Sequence, residues 1–115
     1  MITAQSFPRC VRLTEGRDYR KVYAYARRSG DRFFTVAWAP GEAGHARLGL
    51  AISRKCARGA VARQRIKRVV RESFRHVRAS LPPLDIVVSC RPGTARQSNR
   101  ELRDALERHW SRLGR

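Results

Sequence analysis

The chain has 115 residues, of which 26 are Lys or Arg and 9 are Asp or Glu, for a formal net charge of +17, while 42% remain hydrophobic. That length suits one domain with a single modest core, and the apolar share separates the chain from disordered polyelectrolytes, which couple high charge to low hydrophobicity. Self-repulsion at +17 disfavours a compact monomer standing alone, so a polyanionic partner is implied, with nucleic acid first.

The opening residues 1–12 are polar, carry Pro8 and two arginines, and read as an arm lying across a surface. From Leu13 to Ala26, Leu13, Tyr19, Val22, Tyr23 and Ala26 recur at three- and four-residue steps, the helical period, with Thr14, Glu15 and Asp18 at its start. There is room for a short strand near 27–31. RFFTVAWA at 32–39 is rich in β-branched and aromatic types and stops at Pro40-Gly41, which predicts a strand. ARLGLAIS at 46–53 alternates Leu48, Leu50 and Ile52, a second strand expected to pair antiparallel with the first as a hairpin. A long basic helix follows, ended by Leu81-Pro82-Pro83; LDIVVSC at 84–90 is an apolar run of strand length. Finally, Asn99 to Leu113 places Leu102, Ala105, Leu106, Trp110 and Leu113 at helical spacing, with Ser98 or Asn99 as N-cap. No repeat or linker interrupts the order α, β, β, α, β, α, so residues 1–115 read as one domain.

The basic segment carries most of the functional signal. On a helical wheel, Ala62, Ile66, Val69, Val70, Ser73, Phe74 and Val77 gather on one side, and Arg65, Lys67, Arg68, Arg71, Arg75 and Arg78 fill the opposite arc. From Arg54 to Arg78 there are ten basic residues against Glu72 alone. A solvated helix gains by mixing signs at i,i+4, whereas like charges there repel by a few tenths of a kcal/mol each. This face is therefore built for phosphate, and its arginines suit bidentate contacts and stacking. A helix-turn-helix reader of DNA would need a helix immediately before this one; the sequence supplies a strand, so DNA is not the expected partner.

Intrinsic catalysis is not expected. The nine acids are dispersed at 15, 18, 31, 42, 72, 85, 101, 104 and 107, unlike the carboxylate clusters of metal-dependent nucleases. His45, His76 and His109 have no partners at a triad spacing. Cys10, Cys56 and Cys90 are far apart and lack paired C-x-x-C spacing, so they read as separate thiols in a reducing compartment. No stretch approaches the ~18 apolar residues of a membrane span, and MITAQSFPRCVR lacks the apolar core of a secretory signal. The expected setting is cytoplasmic, without membrane contact.

AVARQRIKRVVRESFR at 60–75 closely resembles the signature helix of the protein component of bacterial ribonuclease P, and FPRCVRL, DYRKVY, RLGLAISRK and LDIVVSCRPG agree with that family in order along the chain. The resemblance implies an α+β sandwich, with a mainly antiparallel sheet of about four strands, flanking helices and a left-handed β-α-β crossover. Such a hand is opposite to that of ~98% of these connections. It also implies a protein subunit that binds a catalytic RNA and the 5′ leader of precursor tRNA. The leader is removed by Mg2+-assisted hydrolysis, with the ions held mainly by RNA and no catalytic or metal-binding residue in the protein. Carried over by position, Arg54, Lys55, Arg63, Gln64, Arg65, Lys67 and Arg68 would contact the catalytic RNA. Tyr19, Tyr23, Phe34, Lys67 and Arg71 would line the leader cleft. Tyr19 and Tyr23, at i and i+4, read as core packing by spacing alone, and the resemblance makes them stacking platforms instead. Gln64 stands where the family usually has asparagine, and Ala37 where some relatives place a further aromatic. A ribosomal or ribosome-assembly RNA-binding protein would share the charge and build but lack a leader cleft; a self-sufficient metallonuclease is the other rival.

Overall fold

The computed structural model describes residues 11–13, 16–25 and 27–113. Most of the expected N-terminal arm, and the expected helix start at Thr14 and Glu15, lie outside them. The elements run α1 (Gly16–Tyr25), β1 (Arg27–Gly30), β2 (Phe34–Pro40), β3 (Arg47–Ala51), α2 (Ala60–Val77), β4 (Leu84–Cys90) and α3 (Asn99–Trp110). β2 starts two residues later than its composition predicts because Asp31 turns the chain there. Its Oδ1 accepts the N–H groups of Phe33 and Phe34, both at 2.8 Å. α3 is capped by Ser98, whose hydroxyl accepts the Glu101 N–H at 3.1 Å and donates to the Glu101 carboxylate at 3.2 Å.

The expected hairpin of β2 with β3 does not form. The strand order is β1-β2-β4-β3: β4 is inserted between them, antiparallel to β2 and parallel to β3. The reason lies in β4 itself. Leu84 through Val88 are buried on both faces, so the strand requires the central position where neighbours cover both sides. β3 then reaches β4 through the crossover helix α2. Residues 11–13 extend the outer side of β3, where the Leu13 N–H donates to the Leu48 carbonyl at 2.8 Å.

One sheet face carries Phe34, Val36, Trp38, Leu48, Ile86 and Val88, packed against Ile66, Val70 and Phe74 of α2 and Leu102, Leu106 and Trp110 of α3. The buried side of α2 is thus the one its periodicity predicts. Trp110 meets Phe74 edge-on at 6.0 Å between centroids and donates its indole N–H to Ser73 Oγ at 2.7 Å, which satisfies the two polar atoms that this interface buries. On the other face, Val22 of α1 packs with Leu13, Ala37, Ala39 and Val87. Alternation along β2 accordingly sends Ala37 to the α1 side and Trp38 to the α2 side. Phe34, predicted to face a leader, is fully buried on the α2 side. This corrects its assignment, because no face of the ring is open to a ligand.

Candidate nucleic-acid interface

α2 starts at Gly59, which supplies no side-chain cap, and its first turn contains no acid. Its amino-terminal N–H groups and positive dipole end therefore face outward unneutralised. Around them, Arg54, Lys55, Arg58, Arg63 and Arg96 line an open basin of about 1080 Å³. The loop before the helix is held in shape by its own backbone, with the Cys56 and Ala57 N–H groups donating to the Ser53 carbonyl at 3.0 and 3.2 Å. Arg63 reaches back from the helix and donates to the Ala57 and Arg58 carbonyls at 3.0 and 2.6 Å.

Cys56 and Cys90 lie face to face as a disulfide, their Cα atoms 5.5 Å apart across a sequence separation of 34. This corrects the expectation of separate thiols: the turn at Ser53 and the end of β4 converge in space although nothing in their spacing announces it. The pair fastens the floor of the basic basin to the sheet.

Arg65 points inward along the helix layer. It donates to the Ala95 and Gln97 carbonyls at 2.7 and 3.1 Å and to the Asn99 side-chain oxygen. This stitch draws the turn Thr94–Arg96 against α2 and so brings Arg96 into the basin. Arg54, Lys55, Gln64 and Arg68 are exposed, while Arg63, Arg65 and Lys67 are half-buried. The predicted RNA-facing set therefore divides into four side chains presented outward, two arginines already committed to shaping the surface, and the half-buried Lys67. Gln64, Arg68, Arg71, Glu72 and Arg75 line a smaller hollow of about 270 Å³, where Glu72 pairs with Arg75 at 2.6 Å.

Further along, Arg12, Leu13, Tyr19, Leu48, Leu50, Lys67 and Arg71 line a cleft of about 220 Å³ between α1, the β3 edge and α2. Tyr19 is fixed within it: its hydroxyl accepts the Leu50 N–H at 3.1 Å and donates to the Leu13 carbonyl at 3.3 Å. The ring lies against Gly49, where a Cβ would come within 2.7 Å of Tyr19 atoms; only glycine permits that approach. Burial pushes the Tyr19 phenol up, only partly offset by the Leu50 N–H and Arg71, so it stays protonated and able to donate. Tyr23, one turn on, is 45% exposed. The structure thus brings Tyr19, Lys67 and Arg71 together, places Tyr23 on the adjacent surface and leaves Phe34 out. Arg12, Arg58 and Arg96 join these surfaces without having been singled out from the sequence. Arg96 had no local signal, since its position depends on the stitch from Arg65.

Among the described residues, no three His, Cys, Asp or Glu side chains converge as metal ligands. The arginine-lined basin and cleft do not fit Mg2+, and no step of a reaction is assigned to an ion held here. What the arrangement offers is phosphate binding over a continuous face, bordered by a narrow cleft with one braced aromatic ring.

Residues 7–114 match the Ribonuclease P family. The ribonuclease P protein component of Thioalkalivibrio sulfidiphilus is 51% identical over 113 residues, covering 98% of this chain and 94% of that one. The component from Methylococcus capsulatus is 47% identical, over 90% of this chain and 81% of its own. Among solved structures, the RNase P protein of Staphylococcus aureus superposes with a TM-score of 0.80 at 27% identity, covering 88% of this chain and 92% of that one. The Thermotoga maritima protein also reaches 0.80, at 28% identity over 90% of this chain and 98% of that one. On sequence across nearly its whole length and on fold alike, the chain belongs to the ribonuclease P protein family.

Proposed function

We infer that the chain works as the protein subunit of a ribonuclease P holoenzyme, an endoribonuclease that matures the 5′ end of tRNA. In this reading the basin at the start of α2 and the outward residues Arg54, Lys55, Gln64 and Arg68 engage the catalytic RNA. Arg63 and Arg65 hold that surface in shape, with their remaining N–H groups at its rim. The cleft of Tyr19, Lys67 and Arg71, with Tyr23 beside it, takes the single-stranded leader of precursor tRNA. Stacking on an aromatic ring contributes ~1 to 3 kcal/mol per base and tolerates any sequence, as a leader site must. Mg2+ belongs to the RNA phosphates, and the protein supplies positioning and charge. The partner is RNA rather than DNA, and the setting is cytoplasmic; among the described residues no helix is long and apolar enough to cross a membrane. In a reducing compartment Cys56 and Cys90 would rest as two thiols in the same place.

The observation that carries this reading is the junction of the two surfaces at Lys67 and Arg71, where a phosphate-binding helix runs into an aromatic cleft. A merely ribosomal RNA binder has no use for that junction. The test is cleavage of a 5′-extended precursor tRNA at low Mg2+, using a bacterial ribonuclease P RNA with and without the protein, and the protein alone. Cutting at the mature 5′ end that requires both components is the expected result. No gain over the RNA alone would overturn the reading, and cutting by the protein alone would point to a self-sufficient nuclease.

A further inference from the structure

β1 forms the edge of the sheet opposite β3, remote from the leader cleft. There Arg27 and Arg28 meet Arg112, which follows α3, around an open hollow of about 600 Å³ floored by Ser29, Gly30 and Trp38. Among the described residues none of these three arginines is ion-paired with an acid. The nearby carboxylate, Asp31, is already engaged: one oxygen holds the Phe33 and Phe34 N–H groups, and the other lies 3.0 Å from His109 Nε2.

Two of the guanidinium groups are held in place. Arg27 sits over the Trp38 ring, 6.0 Å from its centroid. Arg112 donates to Ser29 Oγ at 3.0 Å, and that buried hydroxyl is in turn 2.8 Å from Nδ1 of buried His109. Charges on an edge strand ordinarily serve to block strand-to-strand association. Mobile lysines suffice for that, and a serine-histidine pair buried beneath an arginine adds nothing to it. Guanidinium groups fixed before binding lose less entropy on engaging a phosphate and can do so with two hydrogen bonds.

We propose that this edge is a second RNA-binding surface, taking the phosphodiester backbone of the catalytic RNA subunit. The proposal rests on the ribonuclease P reading above. The choice of the catalytic RNA over the substrate follows from the layers. Arg27 pairs in register with Trp38, whose side chain lies in the core beneath α2 and α3, and Arg112 follows the last turn of α3; Arg28, in register with Ala37, joins the hollow from the other face of the edge strand. The hollow therefore borders the same helical layer as the α2 basin, whereas the leader cleft adjoins α1 at the opposite sheet edge. An RNA docked on α2 and folded around the end of α3 would meet both basic surfaces.

The test measures binding of the ribonuclease P RNA subunit across a range of monovalent salt. It compares the wild-type protein, the triple variant R27Q/R28Q/R112Q, R28Q alone and, as reference on α2, R68Q. Each lost phosphate contact should make the log-affinity against log-salt slope shallower by about one. We expect a change of two to three for the triple variant, of about one for R28Q, and at least about tenfold weaker binding for the triple variant at physiological salt. Arg28 has no intramolecular partner among the bonds described above, so R28Q decides the matter even if the triple variant fails to fold. Unchanged slope and affinity for R28Q and a folded triple variant, with R68Q weakened, would overturn this proposal alone. If wild-type protein does not bind the RNA subunit, the ribonuclease P reading itself fails. A loss confined to precursor tRNA binding by the assembled holoenzyme would assign the edge to substrate and overturn the choice of partner.

Discussion

At Gly49 the missing side chain does specific work. Because a Cβ there would fall 2.7 Å from the Tyr19 ring, Gly49→Ala must push the tyrosine out of the cleft and break its bond to the Leu50 N–H. Leaving that half-buried amide without its acceptor costs ~1 kcal/mol or more. Leader affinity should fall by about tenfold, the worth of a stacked base, while assembly with the RNA subunit is unchanged; competition binding with leader-bearing and leaderless tRNA reads the difference. His109 makes a second prediction. Burial depresses its pKa below 6.5; Asp31 pulls the other way without prevailing, and Arg112 and Arg108 add to the depression. Burial raises Asp31, but the N–H groups of Phe34 and Phe33, together with His109, outweigh it and hold the carboxyl below its ordinary range. Since the folded form resists protonation at both groups, their stability contribution is present above the ordinary pKa and is lost on acidification, beginning below about pH 6.5 for His109. Urea melts from pH 7.5 to 5 should lose up to ~1.4 kcal/mol per pH unit from this site. His109→Asn, which can still accept from Ser29 but does not titrate, should flatten that slope.

Among the elements, α2 was legible because its apolar period and its charge agree, and β4 because its largely apolar run has strand length and stops at Arg91-Pro92-Gly93. Strand order was not legible. Alternation states which face of β3 is buried and says nothing of its neighbour, and the hairpin expectation failed there. The same limit hid the meeting of Cys56 with Cys90 and the burial of Phe34, since each depends on which elements converge and not on local pattern. Most instructive is Arg65, which belongs to a basic run in sequence yet spends its guanidinium on Ala95, Gln97 and Asn99. Substituting it should therefore behave unlike substituting Arg68. Arg65→Ala leaves two half-buried carbonyls without their donor, so it should lower stability by ~1 to 3 kcal/mol and loosen the turn that carries Arg96. Arg68→Ala, exposed and on the outer arc, should leave the melting temperature within a degree or two and make the salt slope of RNA binding shallower by about one. Thermal melts beside salt-titrated binding separate the two roles.

For the molecule as a whole, a charge of +17 sets two responses to salt that run in opposite directions. Repulsion acts within the folded chain, where ten basic residues and one acid lie between Arg54 and Arg78, and the basin at the start of α2 gathers Arg54, Lys55, Arg58 and Arg63 of these together with Arg96 from beyond the helix. Screening relieves that repulsion within a Debye length of about 10 Å at 0.1 M salt, and a multivalent anion that binds only the native basin stabilises further by RT ln(1 + [L]/Kd). The free protein should accordingly melt higher as salt is added, and higher in sulfate than in chloride at equal ionic strength. RNA binding must move the other way, because each phosphate contact releases counterions and the gain shrinks as bulk salt rises. Arg54→Gln with Lys55→Gln tests the link between the two. Removing two cations from the basin should diminish the extra stabilisation by sulfate and reduce the salt slope of RNA binding together. A basin that merely repels itself would lose neither the sulfate-specific increment nor the RNA slope when those residues are neutralised.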